Sequence, residues 1–265
     1  SASSSGRAVT ADLGAYVRTA IRAAREAARV QLAERGTDLG VSTKSSAIDL
    51  VTRVDRLCEE RIRAVIAAEH PGHVVLGEEL GQEASGSMRW IVDPLDGTVN
   101  YAHGFPFYCV SIALEADGEL LVGVVYDPER DELFTATRGG GAWLNGRPLE
   151  VSSGSDLRQA LLATGFAYVA ERIELNVEVF ARVLPRVRSV RRPGAAALDI
   201  CYVACGRLDG FWELGLNPWD VAAGLLILRE AGGTATGADG GPYRLGDKVL
   251  VASNGHLHAD LMDLL

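Results

Sequence analysis

The chain has 265 residues, of which 48% are hydrophobic, so it can bury a substantial core and is not disordered as a whole. It carries 35 Asp and Glu against 26 Lys and Arg, and the formal charge of −9 argues against nucleic acid or an anionic membrane as a main partner. No apolar stretch reaches the ~18 residues of a membrane-spanning helix, and "SASSSGRAVTADLG" contains no hydrophobic signal-peptide core. We therefore predict no nucleic-acid partner and no membrane partner.

The cysteines indicate a reducing compartment. Cys58, Cys109, Cys201 and Cys205 lack the even spacing of a secreted disulfide framework, and the last two do not form the C-x-x-C of redox or zinc sites. We predict reduced, largely buried thiols and a cytoplasmic protein.

The first elements along the chain are helical. We predict that residues 1–9 form a disordered tail. Apolar residues at helical spacing predict a helix over 12–36. A second helix is predicted over 54–70, with Asp55 as its capping residue. The segment "HVVLGEE" then reads as a short strand that runs into two glutamates.

Residues 107–151 change to alternating strands and turns and predict an antiparallel sheet. The hairpin signals are Asp117-Gly118, Asp127-Pro128 and Asn145-Gly146.

After residue 152, strands and helices alternate. Strands are predicted over 160–166, 208–214 and 248–253, and helices over 170–184, 195–204 and 218–231. The arginines of "RVRSVRRP" predict an edge strand, and His256 and His258 are predicted to be surface residues without partners. We predict an N-terminal subdomain over 10–152 with most of the candidate metal ligands and a C-terminal subdomain over 153–265.

Two aspartates follow a buried strand in "WIVDPLDGTVNYAHGFP". Asp93 and Asp96 could be ordinary turn formers, because Asp-Pro and Asp-Gly are common in turns. Gly97 and Thr98, however, also look like the start of a short helix, whose free backbone N–H groups would form an anion site beside the two acids. Carboxylates and an anion share a site when divalent cations lie between them.

Two further acids are similarly placed. Glu78 ends a predicted strand, and Asp220 in "NPWDVAAG" stands in the first turn of a predicted helix. Each could equally be a loop or helix-start acid, but together with Asp93 and Asp96 they make an all-oxygen site suited to Mg²⁺ or Mn²⁺. Two such ions can hold a phosphate, activate a water and neutralise a leaving alcohol oxygen.

At this point the sequence resembles the inositol monophosphatase family of magnesium-dependent, lithium-sensitive phosphatases. The motifs that carry the resemblance are "KSSAIDLVTRVD", "GEEL", "WIVDPLDGTVNYAHGFP", "GAAALDICYVACGRLDGFWELGLNPWDVAAG" and "EAGG". The resemblance implies an α/β fold, a layered α/β/α/β/α sandwich with an antiparallel sheet in the N-terminal half and a mixed sheet in the C-terminal half.

The resemblance also implies roles for individual residues. Glu78, Asp93 and the backbone carbonyl of Leu95 would hold one metal ion, and Asp93, Asp96 and Asp220 a second, with a third and weaker site near Glu78. Thr98 and Asp49 would polarise the water that attacks phosphorus. The site would thus hold two or three Mg²⁺ ions, with Mn²⁺ possible.

Substrate contacts are implied for a further set of residues. These are Gly97, Thr98, Gly194, Ala195, Ala196, Glu213 and Asp220. Glu213 would accept hydrogen bonds from ring hydroxyls, and the three residues at 194–196 would offer backbone N–H groups at a helix start. Ala195 stands where the family usually has Thr or Ser, so the chain lacks a hydroxyl there.

The leading hypothesis is a Mg²⁺-dependent phosphomonoesterase that hydrolyses myo-inositol monophosphates and related polyol phosphates, and the resemblance implies a homodimer. The alternatives are fructose-1,6-bisphosphatase, 3′-phosphoadenosine phosphatase or histidinol-phosphate phosphatase of the same superfamily. A different class is a regulatory protein that binds the transcription machinery, as some bacterial members do.

Overall fold

A computed structural model describes residues 13–43, 50–82, 86–166 and 170–265. The helices are α1 (Leu13–Glu34), α2 (Arg53–Glu69), α3 (Thr98–Ala102), α4 (Ala170–Val183), α5 (Ala196–Ala204), α6 (Pro218–Glu230) and α7 (His258–Met262). Single 3-10 turns cover Leu157–Gln159 and Leu184–Arg186. No helix in these ranges is long and apolar enough to cross a membrane.

The strands of the N-terminal half are β1 (Ser42–Thr43), β2 (Leu50–Val51), β3 (Val74–Gly77), β4 (Gly81–Gln82), β5 (Met88–Asp96), β6 (Cys109–Ala116), β7 (Glu119–Asp127), β8 (Glu132–Thr137), β9 (Gly141–Leu144) and β10 (Arg147–Pro148). Those of the C-terminal half are β11 (Leu161–Thr164), β12 (Ser189–Arg191), β13 (Gly210–Leu214), β14 (Thr234–Thr236) and β15 (Val249–Ser253).

Two main sheets confirm the predicted fold class. The first has the order β10-β9-β8-β7-β6-β5-β3-β4 and is antiparallel except for the parallel pair β3 and β5. The second has the order β12-β11-β13-β15-β14 and mixes parallel and antiparallel pairs. β12 lies at the edge of this sheet, as predicted from its arginines.

The elements pack in five layers around three hydrophobic cores. Helices α1 and α2 cover one face of the first sheet, and α5 and α6 lie between the two sheets. Helices α4 and α7 cover the outer face of the second sheet. Because the middle core draws on both halves of the chain, it ties the two predicted subdomains together. The division near residue 152 and the tail over 1–9, which lies outside the described residues, stay predictions.

Local sequence signals explain most of these elements. In α1 the inward-facing positions are alanines, Ala20, Ala23, Ala24 and Ala27, which allow a close approach to the sheet. The N-terminus of α2 has the predicted cap, since Asp55 Oδ2 accepts a hydrogen bond from the Thr52 backbone N–H at 2.8 Å.

The predicted hairpins are confirmed. Left-handed backbone conformations at Asp117 and Asn145 make the turns between β6 and β7 and between β9 and β10. All four cysteines lie within the described residues and are free thiols, three of them buried, as predicted.

The sequence analysis missed β14 and α7 and was wrong about His258. The imidazole is half-buried, with Nδ1 at 2.9 Å from Ser253 Oγ and Nε2 at 2.9 Å from Thr236 Oγ1. Ser253 ends β15 only five residues before His258, whereas Thr236 lies in β14, 22 residues away, so the second contact depends on how β14 packs against α7. His256 is exposed, as predicted.

Candidate active site

The two aspartates of the first motif lie at the end of β5. The ladder between β5 and β6 shifts register between Asp93 and Asp96, so a β-bulge brings both acids to the same end of the strand. The Asp93 side chain is 2% exposed, and its Oδ1 accepts the Leu95 backbone N–H at 2.9 Å. Asp96 Oδ2 accepts the backbone N–H of Ala197, at 2.8 Å, from the start of α5. Asp96 therefore connects the first sheet to a helix of the other half of the chain.

Gly97 makes the turn after these acids possible. Its φ is +93°, and a Cβ there would stand 2.9 Å from the Phe107 carbonyl oxygen, so a side chain would be strained and crowded. On the other side of the turn, Gln31 Nε2 donates to the Pro94 carbonyl at 2.9 Å. The Tyr101 hydroxyl in turn donates to the Gln31 carbonyl at 2.7 Å. Helix α1 thus fixes a turn more than 60 residues away.

Thr98 opens α3 and faces an acid that the sequence analysis had assigned to helix capping alone. Its Oγ1 lies 2.9 Å from Asp55 Oδ1 and 3.0 Å from the Leu95 carbonyl oxygen. Asp55 thus caps α2 with one oxygen and accepts the Thr98 hydroxyl with the other. Asp49, the predicted partner of Thr98, lies outside the described residues.

Glu78 directly follows β3, in a turn held by a buried acid of α2. Glu59 is fully buried, and its Oε2 accepts the backbone N–H of Glu79 at 2.7 Å. Its Oε1 accepts Arg63 Nε at 2.8 Å, so the buried charge is paired. A Cβ on Gly77 would stand 2.0 Å from Glu59 Oε1, which leaves glycine as the residue that fits.

Asp220 stands in the first turn of α6, as predicted. Its Oδ2 accepts the Asn217 backbone N–H at 2.7 Å, which closes the helix start. Ser111 in β6 donates to the Trp219 carbonyl at 3.2 Å and ties this helix start to the first sheet.

The four acids share one electrostatic environment. Burial raises the pKa of Asp93 well above its usual range, and the charges of Glu78, Asp96 and Asp220 raise it further. Burial raises the pKa of Asp96 to about 7, although the Ala197 N–H opposes the shift. The pKa of Asp220 is raised by burial and then by Glu78. Acids from three separate segments therefore disfavour one another's ionised forms.

This donor set fits a hard divalent cation in its chemistry. The side chains and the Leu95 carbonyl offer oxygen atoms only, which suits Mg²⁺ or Mn²⁺, and their uncompensated negative charge would be neutralised by cations. Within the described ranges, no three His, Cys, Asp or Glu side chains come together as a ready-made ion site. The fit therefore rests on ligand type and charge.

The predicted backbone donors lie at the start of α5. Ala195 is the extended N-cap residue, whose own side chain makes no capping hydrogen bond, and Ala196 is the first helical residue. Asp96 accepts the next backbone N–H, that of Ala197. Gly194 has a φ of +91°, and Asn100 Nδ2 donates to the neighbouring Pro193 carbonyl at 2.9 Å. Asn100 belongs to α3, so this hydrogen bond connects the candidate donor segment at the start of α3 to the one at 194–196.

Glu213 lies in β13, on the side of the site opposite the first sheet. Burial and the charge of Asp96 raise its pKa and Arg192 lowers it, which together bring the pKa to about 8. The Arg192 guanidinium stands 5.8 Å from the centre of the Phe166 ring, stacked over it. Glu213 thus contributes to the same acidic environment as the predicted metal ligands.

The sequence analysis missed three residues that support the site, Gln31, Glu59 and Asn100, and a buried acid whose pKa responds to Glu213, Asp199. Asp199 is fully buried in α5, and neither carboxyl oxygen has a hydrogen-bond partner among the described residues. Burial and the charge of Glu213 raise its pKa well above the usual range, so its neutral form is favoured. These acids could have been found from their positions on the buried face of a helix, as for Glu59, which shares the buried face of α2 with Cys58 and Ile62.

Glu59→Gln should lower the free energy of unfolding by about 3 kcal/mol, because Arg63 loses a buried charge partner and an amide replaces an acceptor oxygen. The same change should weaken Mg²⁺ binding, since the turn that carries Glu78 loses its anchor. Urea unfolding and Mg²⁺ titration measure the two effects. Glu60→Gln, at an exposed neighbouring position of α2, is the matched control. An unchanged unfolding midpoint for Glu59→Gln would show that the turn does not depend on this carboxylate.

Comparisons with known proteins agree with the fold and the motifs. The sequence profile of the inositol monophosphatase family matches residues 12–265. An inositol-1-monophosphatase of Synechocystis is 45% identical over 228 residues, 85% of this chain and 79% of that protein. A protein of Pasteurella multocida named Nus factor SuhB is 44% identical over 239 residues, 88% of this chain and 89% of that protein.

A solved structure is also similar over nearly the whole length. The crystal structure of extragenic suppressor protein suhB from Bartonella henselae has a TM-score of 0.90 and 40% sequence identity, and covers 94% of this chain and 98% of that one. The layered α/β fold is thus shared with a family that comprises metal-dependent phosphatases. The chain belongs to the inositol monophosphatase family.

Proposed function

We propose that this protein is a Mg²⁺-dependent phosphomonoesterase that hydrolyses myo-inositol monophosphates and related polyol phosphates. The single observation that carries the proposal is the electrostatic coupling of Glu78, Asp93, Asp96 and Asp220, in which the charges of neighbouring acids raise the pKa values of Asp93 and Asp220. A protein without a divalent cofactor has no use for four acids that repel one another, and the resemblance to named inositol-1-monophosphatases supports the substrate class.

In this proposal, Glu78, Asp93 and the Leu95 carbonyl hold one ion, and Asp93, Asp96 and Asp220 hold a second. When bound, Mg²⁺ would neutralise the phosphate, make a water more acidic and stabilise the leaving alcohol. The chain's own contribution is rigidity. Asp93 and Asp220 each keep one carboxylate oxygen on a backbone N–H, which fixes the direction of the other.

Thr98 supplies the group that orients the attacking water. Its Oγ1 can donate one proton only, so when it donates to Asp55 or to the Leu95 carbonyl, its lone pairs remain to accept a hydrogen bond from water. We keep Asp49 as the second member of this pair on the family resemblance. Asp55 would hold the Thr98 hydroxyl in position.

The substrate would lie between the two sheets. Backbone N–H groups of Gly97, Thr98 and the segment 194–196 would bind phosphate oxygens. Glu213 and Asp220 would accept hydrogen bonds from the alcohol portion. A hydroxyl-rich ring offers the donors that these carboxylates need, whereas an apolar alcohol would leave them unpaired. This favours polyol phosphates.

The same resemblance supports a cytoplasmic homodimer, a proposal that size-exclusion chromatography with light scattering would test. A second candidate function is regulatory, because relatives at 44% identity are named Nus factor SuhB. That function needs no converging acids, so we place the phosphatase first.

The test is phosphate release from a panel of esters, each with Mg²⁺ and with a chelator. The panel contains myo-inositol 1-phosphate, fructose 1,6-bisphosphate, 3′-phosphoadenosine 5′-phosphate and histidinol phosphate. We expect chelator-sensitive release with preference for the inositol ester. Preference for another ester would keep the metal chemistry and overturn the substrate. No release from any ester would overturn the phosphatase, and a pull-down with transcription proteins would then test the regulatory function.

A further inference from the structure

We propose that Gly165 is a positioning residue that fixes the substrate specificity of the site by setting the place of the Glu213 carboxylate. The inference rests on the proposed function, because it assigns Glu213 to the alcohol portion of a polyol phosphate. It adds a residue that neither the motifs nor the family resemblance singled out.

The geometry of the second sheet places these two residues side by side. Strands β11 and β13 are parallel, and their last paired residues are Thr164 and Trp212. Gly165 and Glu213 come next on each strand, so their Cα–Cβ directions point to the same face of the sheet. The Thr164 hydroxyl donates to the Trp212 carbonyl at 2.8 Å and holds the strand ends together.

The Glu213 carboxylate occupies the space that a side chain at 165 would fill. A Cβ built on Gly165 would stand 1.9 Å from Oε2, 2.1 Å from Cδ and 2.3 Å from Oε1 of Glu213. All three distances are far inside van der Waals contact. The carboxylate therefore lies flat against the Gly165 backbone, and any other residue there would move it.

Backbone conformation does not explain this glycine. The φ of Gly165 lies outside the left-handed region, unlike those of Gly97 and Gly194, so an L-residue could adopt it. The three atoms nearest to such a Cβ all belong to the Glu213 carboxylate, which is therefore the first obstacle to a side chain. The same arrangement recurs at Gly77, where Glu59 lies against the backbone and organises the turn of Glu78.

The obstacle to a side chain at 165 is the flexible end of Glu213, not backbone. Gly165→Ala should therefore fold normally and turn the carboxylate away from its place. A carboxylate turned away from the Gly165 backbone would leave the place beside the alcohol portion that the proposed function gives it. Ring hydroxyls that donate to Glu213 would lose their acceptor, whereas phosphate binding at the other end of the substrate would keep its groups.

The experiment compares Gly165→Ala with the unchanged protein, both with Mg²⁺, on myo-inositol 1-phosphate and on p-nitrophenyl phosphate, which has no polyol ring. We expect KM for the inositol ester to rise about tenfold with little change in kcat, since one hydrogen bond to a buried carboxyl group is lost. The ratio of kcat/KM between the two esters should fall by a similar factor. Gly72→Ala, at an exposed position with no heavy atom within 4 Å of the new Cβ, is the matched control.

A double-mutant cycle with Glu213→Ala shows whether Gly165 acts through Glu213. Gly165→Ala should have no further effect on the ester ratio once the carboxylate is gone. An unchanged ratio in the single variant, or an equal loss in the Glu213→Ala background, would overturn the proposal. If Gly165→Ala alone fails to fold, recovery of folding in the double variant supports the contact, and failure of both refutes it.

A failure of the proposed function can be distinguished from a failure of the Gly165 proposal. The unchanged protein would then release no phosphate from any ester of the panel. The contact between Gly165 and Glu213 would still be measurable by the same cycle in urea unfolding. Gly165→Ala should lower the free energy of unfolding more in the unchanged protein than in the Glu213→Ala background. Additive unfolding free energies would overturn the contact itself.

Discussion

Asp93→Asn should lower Mg²⁺-dependent phosphate release about a thousandfold, because Asp93 is expected to serve both metal ions and each ion stabilises charge in the transition state. The folded protein without metal should be as stable as the original or more so. Asparagine is nearly isosteric, its amide oxygen can still accept the Leu95 N–H, and it removes a buried charge that repels Glu78 and Asp96.

Three measurements separate the loss of metal from the loss of fold: kcat with saturating Mg²⁺, the shift in Tm that Mg²⁺ produces, and the Tm with chelator. In Asp93→Asn, kcat and the Mg²⁺-induced shift in Tm should be lost, whereas the Tm with chelator should be unchanged or higher. Asp117→Asn is the control, since it changes an aspartate to asparagine in the β6–β7 turn, where the left-handed conformation suits both residues. Retained turnover in Asp93→Asn would rule out the two-metal assignment.

The protein without metal should become less stable as the pH rises from 6.5 to 9. The folded-state pKa values are about 7 for Asp96 and about 8 for Glu213, against ordinary values of 3.8 and 4.5. A raised carboxyl pKa stabilises the fold fully below the unfolded-state value, and this contribution is lost as the pH rises through the folded-state value. We expect the Tm with chelator to fall by about 5 °C across this range.

Mg²⁺ should oppose that loss, because the ion binds the ionised carboxylates and its stabilisation should therefore grow with pH. His73 and His258 act in the opposite direction, since burial lowers both pKa values and destabilises the fold below their ordinary value of 6.5. The pKa values of the four cysteines are also raised and lower the stability near pH 9. The difference between the melting curves with Mg²⁺ and with chelator, measured above pH 6.5, therefore isolates the acids. A Tm with chelator that stays level or rises from pH 6.5 to 9 would contradict the shared acidic environment.

The sequence predicted the elements whose signals are local. The caps of α2 and the turns at Asp117 and Asn145 depend on hydrogen bonds and dihedral angles within a few residues, so they could be placed from the chain alone. The motifs gave the family, and the family resemblance implied the fold class, with which the order of strands and helices is compatible. The acids Glu78, Asp93, Asp96 and Asp220 could be named because each stands beside a strand end or helix start.

Only the tertiary structure decided how the site is held together. Asp96 accepts its N–H from Ala197 across 101 residues, and Gln31 reaches the Pro94 carbonyl across 63. Glu59 and Gly165 carry no motif, because their roles depend on which element packs against them. Sequence patterns encode local conformation and the direction of burial, whereas contacts between distant segments arise only when the layers close on their shared cores. The sequence by itself therefore determined the family and the candidate ligands, and the packing of the layers decided the supports of those ligands and the place of Glu213.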